Sequence, residues 1–231
     1  MTNQRTRRRN TWPVPPLAVG ATGLLAALGL LTALEVTGSL LSRPDAAVLS
    51  WMLTHRSSHL TSVAVAITNS GTSPLLYPLV AAAGVAVWLR TRRWIAGVVA
   101  LAVTGAGVLS RLELSKLVGD PRPPQADWLL PVHGYAFPSG HACTSTLVAG
   151  SLAWLLTYLV LQRPARLAIG SGLACWALLV AVSRTYLGVH WISDILGSWL
   201  LAGTWLLLLP ATARRLPADR PTPNPPVNPP E

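Results

Sequence analysis

The sequence contains few charged residues for its length. Only 11% of its 231 residues are Asp, Glu, Lys or Arg, less than half of the roughly 25% found in soluble domains. Mean hydropathy is positive, at +0.45. Stretches with at most one charged residue cover residues 17–41, 94–109, 142–161, 167–182 and 191–209. Because about 17–25 apolar residues span a bilayer as a helix, the sequence indicates an integral membrane protein and excludes a soluble domain.

Cysteine and acidic residues are also scarce. The two cysteines, Cys143 and Cys175, lack metal-ligand spacing, and we expect both to pack as small apolar residues inside spans. The eight acidic residues form no cluster that would hold Mg²⁺ or Ca²⁺. No metal ion or other cofactor is therefore expected.

Lysine is nearly absent, and the position of the arginines carries topological information. Apart from Lys116, every basic residue is arginine, and most lie in four clusters, over 5–9, 90–93, 163–166 and 214–220. Lys and Arg concentrate in cytoplasmic loops. If all four clusters are cytoplasmic, two crossings separate each from the next. This pattern predicts an all-α bundle of six membrane helices with both termini cytoplasmic, and a bilayer rather than a nucleic acid as partner.

The chain divides into three predicted regions. They are a basic cytoplasmic arm over 1–15, a six-span domain over 16–211 and a disordered, Pro-rich cytoplasmic tail over 212–231. Within the domain, 42–58 form a short outer segment with the pattern of a surface helix. The second span is interrupted at 69–74, and we favour one crossing with a break over a hairpin. Residues 118–140 form the main outer loop.

Polar residues gather at the outer ends of the last four spans. They occur in "KLVGDPRP" at 116–123, "FPSGHACTS" at 137–145 and "SRTYLGVHWISD" at 183–194. The candidates are Lys116, Arg122, Ser139, His141, Arg184, His190 and Asp194. Because ionisable residues are costly at membrane depth, they indicate a functional site.

These residue types suit phosphoryl transfer. His190 and Asp194 are four residues apart and share one helix face. A carboxylate that accepts from one imidazole nitrogen leaves the other with an oriented lone pair, which suits attack on phosphorus. Ser139 lies near the start of the fourth span, where free N–H groups bind anions. Arginines can stabilise the phosphoryl oxygens, and a second histidine, His141, can protonate a leaving oxygen.

Together the three motifs resemble the signature of the type 2 phosphatidic acid phosphatase superfamily, which also includes vanadium haloperoxidases. The second and third motifs match completely, and the resemblance covers roughly residues 40–210. It implies that His190 attacks phosphorus and becomes a phosphohistidine, and that Asp194 orients it. It also implies that His141 protonates the leaving group and then activates water.

The resemblance further implies a phosphate-binding set. Its members are Arg122 and Arg184, which clamp the phosphoryl oxygens, Ser139 and the backbone at Gly140, which assist, and Lys116 as a third cation.

The first motif departs from the family pattern. Five residues, not the usual six, separate the lysine from the Arg-Pro pair, and Ser115 occupies the usual lysine position. The offset rotates Lys116 by about 100° and moves it about 1.5 Å along the helix. Lys116 either reaches the phosphate from there or pairs with Glu113 while Ser115 faces the site. For Arg111, we expect a partner on another helix or extension to the interface, not a phosphate contact.

The resulting hypothesis is a metal-independent lipid phosphate or diphosphate phosphatase. Its site would face the extracytoplasmic side of a bacterial plasma membrane. Candidate substrates are undecaprenyl diphosphate, phosphatidate and phosphatidylglycerol phosphate. The alternatives are a phosphotransferase that passes the phosphoryl group to a lipid or sugar, and an anion or lipid transporter. The transporter is less favoured because the sequence shows none of the repeat symmetry common in transporters.

Overall fold

A computed structural model describes residues 15–37, 40–71 and 73–215 of the protein, and most of these residues are helical. Most of the predicted basic arm and residues 216–231 of the predicted tail lie outside these ranges. The described residues contain no β-strand, which confirms the all-α class. The described ranges contain eight α-helices: α1 Pro15–Thr37, α2 Ser42–Thr54, α3 Ser58–Ser70, α4 Ser73–Thr91, α5 Trp94–Val118, α6 Gly140–Leu159, α7 Arg163–Tyr186 and α8 Ile192–Arg215.

Five of these helices are long and apolar enough to cross a membrane. The qualifying segments are Val19–Thr37, Trp94–Val118, Gly140–Leu159, Arg163–Tyr186 and Ile192–Ala211. Helix α4 contains a shorter apolar stretch, Leu76–Thr91, where the second span was predicted. The chain is thus a multi-pass membrane protein. The count of six spans and the cytoplasmic position of both termini stay predictions.

The predicted interruption of the second span lies between α3 and α4. Helix α3 ends at Ser70, and α4 begins at Ser73. Helix α3 packs along α7, whereas α4 packs against α5 and α6. A Cβ on Gly71 would lie 2.6 Å from the Val180 side chain, so the close approach of α3 to α7 requires glycine there. The two helices are therefore consecutive segments with different neighbours.

Helix α6 occupies the centre of the bundle, where it packs against α4, α5, α7 and α8. The buried hydroxyls of Thr104 and Ser151 lie 2.9 Å apart and link α5 to α6. Gly84 and Gly97 allow α4 and α5 to cross closely, because a Cβ on either would lie 2.8 Å from the Cα of the other. Small residues and interhelical hydroxyl bonds are typical contacts of membrane helices.

Helix α2 holds the start of α8. The buried Asp45 carboxylate accepts from the backbone N–H of Ser193 at 3.0 Å and from its hydroxyl at 2.7 Å. Ser193 is the second residue of α8, whose first N–H groups lack intrahelical acceptors. The outer segment that was predicted as a surface helix is thus helical, and one of its side chains caps a membrane helix.

The outer loop after α5 is fastened to the turn between α7 and α8. Gly119 ends α5 in the left-handed region, with φ of 68°. Arg56 donates to the backbone oxygens of Asp127, at 2.8 Å, and Tyr186, at 3.0 Å. The N–H of Leu129 donates to the Leu187 oxygen at 3.0 Å. These bonds bring the loop over the start of α8, where the candidate residues lie.

Candidate active site

The predicted His190–Asp194 pair is present at the start of α8. His190 Nδ1 lies 3.0 Å from Asp194 Oδ2, and the two side chains are 2% and 0% exposed. The same oxygen accepts from the backbone N–H of Trp191 at 2.8 Å. Trp191 directly precedes α8 and Asp194 is its third residue, so the carboxylate reaches back as in a capping box. Asp194 therefore caps α8 while it orients His190.

Arg122 defines the tautomer of His190. Its Nη1 lies 3.0 Å from His190 Nε2. Because a guanidinium only donates hydrogen bonds, Nε2 must be the accepting nitrogen. The ring proton is therefore on Nδ1, from which it is donated to Asp194. This arrangement leaves the lone pair of Nε2 directed toward Arg122.

The electrostatic environment keeps His190 neutral. Burial lowers the pKa of His190 well below its ordinary range, and the positive charges of Arg122, Arg184 and Arg111 lower it further, as does His141. A neutral imidazole is the form that can act as a nucleophile.

Arg122 is held rigidly by backbone oxygens of the outer loop and the α7–α8 turn. Its Nε donates to Gly134 at 2.9 Å and its Nη1 to Val189 at 2.7 Å. Its Nη2 donates to His133 at 3.1 Å and Tyr135 at 3.0 Å. With the contact to His190, the side chain uses all three nitrogens, and its guanidinium is fixed next to Nε2.

Arg184 lies in the last turn of α7 and is only 3% exposed. Its Nη1 donates to Thr68 Oγ1 of α3 at 2.8 Å. Its Nε is buried without a hydrogen-bond partner among the described residues. Such unpaired buried donors are rare in native proteins and point to a ligand or a water. Thr68 was not predicted from the sequence, because its contact with Arg184 depends on how α3 packs on α7.

Ser139 occupies the N-cap position of α6, as predicted, but its hydroxyl makes no capping bond. The buried Oγ has no partner in the described part of the chain. Its carbonyl oxygen accepts from Cys143 N at 3.0 Å and from Ser198 Oγ at 2.9 Å. Ser198, which sequence reasoning missed, thus fixes the backbone while the Ser139 hydroxyl is available to a ligand.

Arg111 lies against the start of α6, where Gly140 is the first residue. Its Nε donates to the carbonyl oxygen of Pro138 at 2.8 Å. A Cβ placed on Gly140 would lie 3.2 Å from the central carbon of the guanidinium. Arg111 therefore finds its partner on the backbone of the second motif and adds a cation to the cluster, which the sequence reading did not anticipate.

The structure does not bring Lys116 into this cluster. Its Nζ lies 2.8 Å from Glu113 Oε1, and the two side chains are 67% and 66% exposed. Ser115, in contrast, is buried. Of the two alternatives for Lys116, the structure has the pair with Glu113.

His141 is the second residue of α6 and is half-buried. It lies close enough to His190 to lower the pKa of that residue. Its ring makes no hydrogen bond to a described residue. The described ranges contain no group of three or more His, Cys, Asp or Glu side chains placed to hold a metal ion. The cluster of arginines, hydroxyl and helix N–H groups instead suits an anion such as a phosphoryl group.

Comparison with known proteins agrees with this geometry. Residues 24–217 match the model of the PAP2 superfamily. Phosphatidylglycerophosphatase B of Bacillus subtilis (strain 168) is 30% identical over 176 residues, which cover 74% of this chain and 84% of that protein. Undecaprenyl-diphosphatase of Sulfolobus acidocaldarius is 34% identical over 80 residues, 32% of each chain.

Two solved structures share the fold. The transmembrane PAP2-type phosphatidylglycerolphosphate phosphatase of Bacillus subtilis has a TM-score of 0.79 and 26% identity over 87% of this chain and 99% of that chain. Aquifex aeolicus LpxE has a TM-score of 0.57 over 74% of this chain and 95% of that chain. At 19% identity it supports the fold alone. The family match spans most of the chain and includes all three motifs. The chain is thus a membrane-embedded phosphatase that belongs to the PAP2 superfamily.

Proposed function

We propose that the protein is a metal-independent phosphatase of lipid phosphates or diphosphates that acts through a phosphohistidine on His190. The proposal rests on the groups that surround His190 Nε2. A lone pair on a neutral imidazole lies next to Arg122, and the buried donors Ser139 Oγ and Arg184 Nε have no protein partner in the described ranges. A phosphoryl group would supply acceptors for these donors and an electrophile for the lone pair.

In the first step, His190 Nε2 attacks phosphorus. An oxygen of the incoming group takes over the Nη1–H of Arg122, which frees the lone pair of Nε2. The bond from phosphorus to the leaving oxygen breaks as the bond from nitrogen to phosphorus forms, and His141 gives its proton to the leaving oxygen. Asp194 keeps its hydrogen bond from Nδ1 and stabilises the positive charge that develops on the ring.

In the second step, water displaces His190. His141, now neutral, takes a proton from the water as the oxygen attacks phosphorus. The nitrogen–phosphorus bond breaks, its electron pair returns to Nε2, and inorganic phosphate leaves. The three oxygens of the phosphoryl group face Arg122, Arg184 and the start of α6 in both steps, so the same donors stabilise both transition states.

An apolar groove supports a lipid substrate. A cavity of about 430 Å³ lies between α6, α7 and α8, within the range of ligand pockets. It is lined by Thr146, Ala149, Gly150, Ala153, Gly170, Ala174, Ala177, Leu178, Trp199 and Leu206. Thr146 is six residues after Gly140, so the groove begins about 9 Å along α6 from the site. A substrate with its phosphate in the site could lay an acyl or isoprenoid chain there.

The relatives favour phosphatidylglycerol phosphate as the first substrate to examine, because the phosphatidylglycerophosphatase of Bacillus subtilis is similar over most of both chains. Undecaprenyl diphosphate and phosphatidate are the other candidates.

The test is phosphate release by the purified protein from each lipid, with and without EDTA. We expect EDTA to leave the rate of phosphate release unchanged. Relative to wild type, the Ala174→Phe variant should lose more activity on long-chain lipids than on short-chain lipids. Loss of activity in EDTA would contradict the metal-independent mechanism, and recovery of a phosphorylated acceptor in place of phosphate would favour a phosphotransferase.

The orientation of the bundle favours an extracytoplasmic site. Five arginines lie in or next to the α4–α5 and α6–α7 connections, at the helix ends opposite the site: Arg90, Arg92, Arg93, Arg163 and Arg166. Because such basic loops stay in the cytoplasm, the site would face outward in a bacterial plasma membrane. In a background without Cys143 and Cys175, a membrane-impermeant maleimide should label Leu129→Cys but not Gln162→Cys on intact cells. The opposite labelling would reverse the orientation.

A further inference from the structure

Two residues of α5, Arg111 and Lys116, could supply a third cation to the phosphate, and they lie in very different surroundings. Lys116 pairs with Glu113 on the exposed surface of the helix. Arg111 points to the first turn of α6. Resting on the proposed function, we propose that Arg111 is the third phosphate-binding cation of this enzyme and replaces the lysine of the family pattern.

The geometry of α5 explains why Arg111, and not Lys116, takes the place of the family lysine. Arg111 is four residues before Ser115, so the two side chains lie about one turn apart on the same face. That face points inward, since Ser115 is only 6% exposed. Lys116 is rotated about 100° from Ser115 and faces away from the cluster. Arginine is long enough to cover the extra turn and reach the start of α6.

Arg111 keeps most of its donors available. Its Nε is fixed by the Pro138 oxygen at 2.8 Å. Neither of its terminal nitrogens donates to a protein acceptor within the described ranges, although a guanidinium has five N–H donors. The two nitrogens lie 3.3 Å and 3.5 Å from the position of a Cβ on Gly140. They therefore lie against the first residue of α6, the helix whose N-terminal N–H groups are proposed to bind the phosphoryl oxygens.

The charge of Arg111 acts on the residues around the phosphate position. It contributes to the lowered pKa values of both Arg122 and His190. The Asp194 carboxylate interacts favourably with both arginines, but it already accepts from His190 and Trp191. A second anion would offset the remaining repulsion between Arg111 and Arg122. A phosphoryl group bound between Arg111 and Arg122 would do so. Lys116 already has its carboxylate partner in Glu113.

The absence of a side chain at Gly140 is part of the same arrangement. A methyl group there would contact the guanidinium of Arg111 at 3.2 Å to 3.5 Å. Glycine lets the guanidinium lie flat on the first turn of α6. The position of Gly140, predicted to assist through its backbone, thus also makes room for the arginine.

Two single variants test the assignment. Arg111→Ala and Lys116→Ala would be purified as full chains and compared with wild type for kcat/KM on a lipid phosphate and for the Kd of inorganic phosphate, measured as protection against thermal unfolding. We expect Arg111→Ala to lower kcat/KM by about 10²–10³-fold and to weaken phosphate binding at least about tenfold. Lys116→Ala should stay within about twofold of wild type in both assays. A larger loss with Lys116→Ala, or near-wild-type behaviour of Arg111→Ala, would overturn the assignment.

A double variant protects the test against a simple loss of folding. The double variant Arg111→Ala/Ser115→Lys returns a cation to the family position on the same helix face. We expect its kcat/KM to be at least about tenfold higher than that of Arg111→Ala alone. A double variant that folds and recovers nothing would contradict the assignment. The measurement of phosphate binding does not depend on turnover. If wild type binds inorganic phosphate but hydrolyses no lipid, the proposed function is refuted, and the role of Arg111 is decided by the binding data alone.

Discussion

Arg122 Nη1 lies 3.0 Å from His190 Nε2 while it donates to the carbonyl oxygen of Val189 at 2.7 Å. One nitrogen thus connects the outer loop, the α7–α8 turn and the proposed nucleophile. The loop carbonyls that hold this arginine belong to residues 133, 134 and 135. Any change that loosens the loop also moves the cation that faces the phosphoryl group.

We predict that Arg122→Lys cannot replace Arg122. A lysine ammonium has three donors on a flexible stem, and it lacks the planar fork that contacts the loop and His190 together. We expect kcat/KM to fall about 10²–10³-fold, measured as phosphate release.

The control for this prediction is Arg56→Lys. Arg56 also holds the loop, through Asp127 and Tyr186, but has no contact with His190. It should lower the melting temperature while kcat/KM stays within about tenfold of wild type. Equal losses of kcat/KM in both variants would show that Arg122 acts only by anchoring the loop.

We predict a large loss of kcat for Asp194→Asn. The amide keeps one oxygen for the two N–H donors, His190 Nδ1 and Trp191 N, so the start of α8 should fold. It loses the negative charge that stabilises the positively charged ring of the phosphohistidine. We expect kcat to fall about 10²–10⁴-fold, measured under saturating lipid.

Asp45→Asn is the matched control. Asp45 is also buried and bonded to the start of α8, but it contacts Ser193 and not His190. We expect lower thermal stability with kcat within about tenfold of wild type. If Asp194→Asn retained kcat to the same degree, the orienting role of Asp194 would be wrong.

The motifs were predictable from sequence because each depends on local geometry. The spacing of His190 and Asp194 places both on one helix face, and the turn chemistry at Pro138 and Ser139 begins α6. The contacts of Arg184 with Thr68 and of Arg122 with the loop carbonyls were not predictable, because they join segments far apart in sequence. They depend on how α3 packs on α7 and on how the loop crosses the α7–α8 turn.

Helix geometry also explains why the third cation was assigned to Lys116. The motif pattern places a basic residue near 115, and Lys116 is the nearest one. A rotation of about 100° per residue is enough to turn that side chain out of the site. Only the packed structure shows that Arg111, one turn earlier, points inward.

We predict that Gly188→Ala destabilises the protein. Gly188 has φ of 78°, and a Cβ there would lie 2.3 Å from the Asp127 oxygen and 2.7 Å from Arg56 Nη2. The substitution would strain the backbone and displace the loop, at a cost of at least about 1–3 kcal/mol. The measurement is the thermal unfolding temperature in detergent.

Gly172→Ala serves as its control, because that helical glycine has nothing within 4 Å of its Cβ position. Alanine there should be neutral or stabilising by about 0.5–1 kcal/mol. A Gly188→Ala variant as stable as Gly172→Ala would contradict the contact between the loop and the α7–α8 turn.

We predict that Asp120→Asn stabilises the protein above pH 6 but not at low pH. Burial raises the pKa of Asp120 from 3.8 to about 6, and the charge of Asp45 adds to this effect. Between these values the folded state binds more protons than the unfolded state, so stability falls as pH rises toward about 6. The ionised carboxylate is fully unfavourable above that pH, and the asparagine removes the penalty.

Melting temperatures between pH 4 and pH 8 test this prediction. The difference between Asp120→Asn and wild type should grow as pH rises from about 4 to about 6 and then level off. A difference for Asp120→Asn that is constant with pH, or that grows toward low pH, would contradict the assignment.

The most direct test of the central claim is to trap the phosphorylated enzyme. Wild type and the His141→Ala variant would be mixed with a lipid substrate labelled with ³²P in the phosphate, quenched in alkaline detergent and separated by electrophoresis. We predict a protein-bound label that is stable in alkali and labile in acid, as for a phosphoramidate, that decays more slowly in His141→Ala than in wild type once formed, and that is absent in His190→Gln. A label that survives in His190→Gln, or none in an enzyme that is releasing phosphate, would contradict nucleophilic attack by His190.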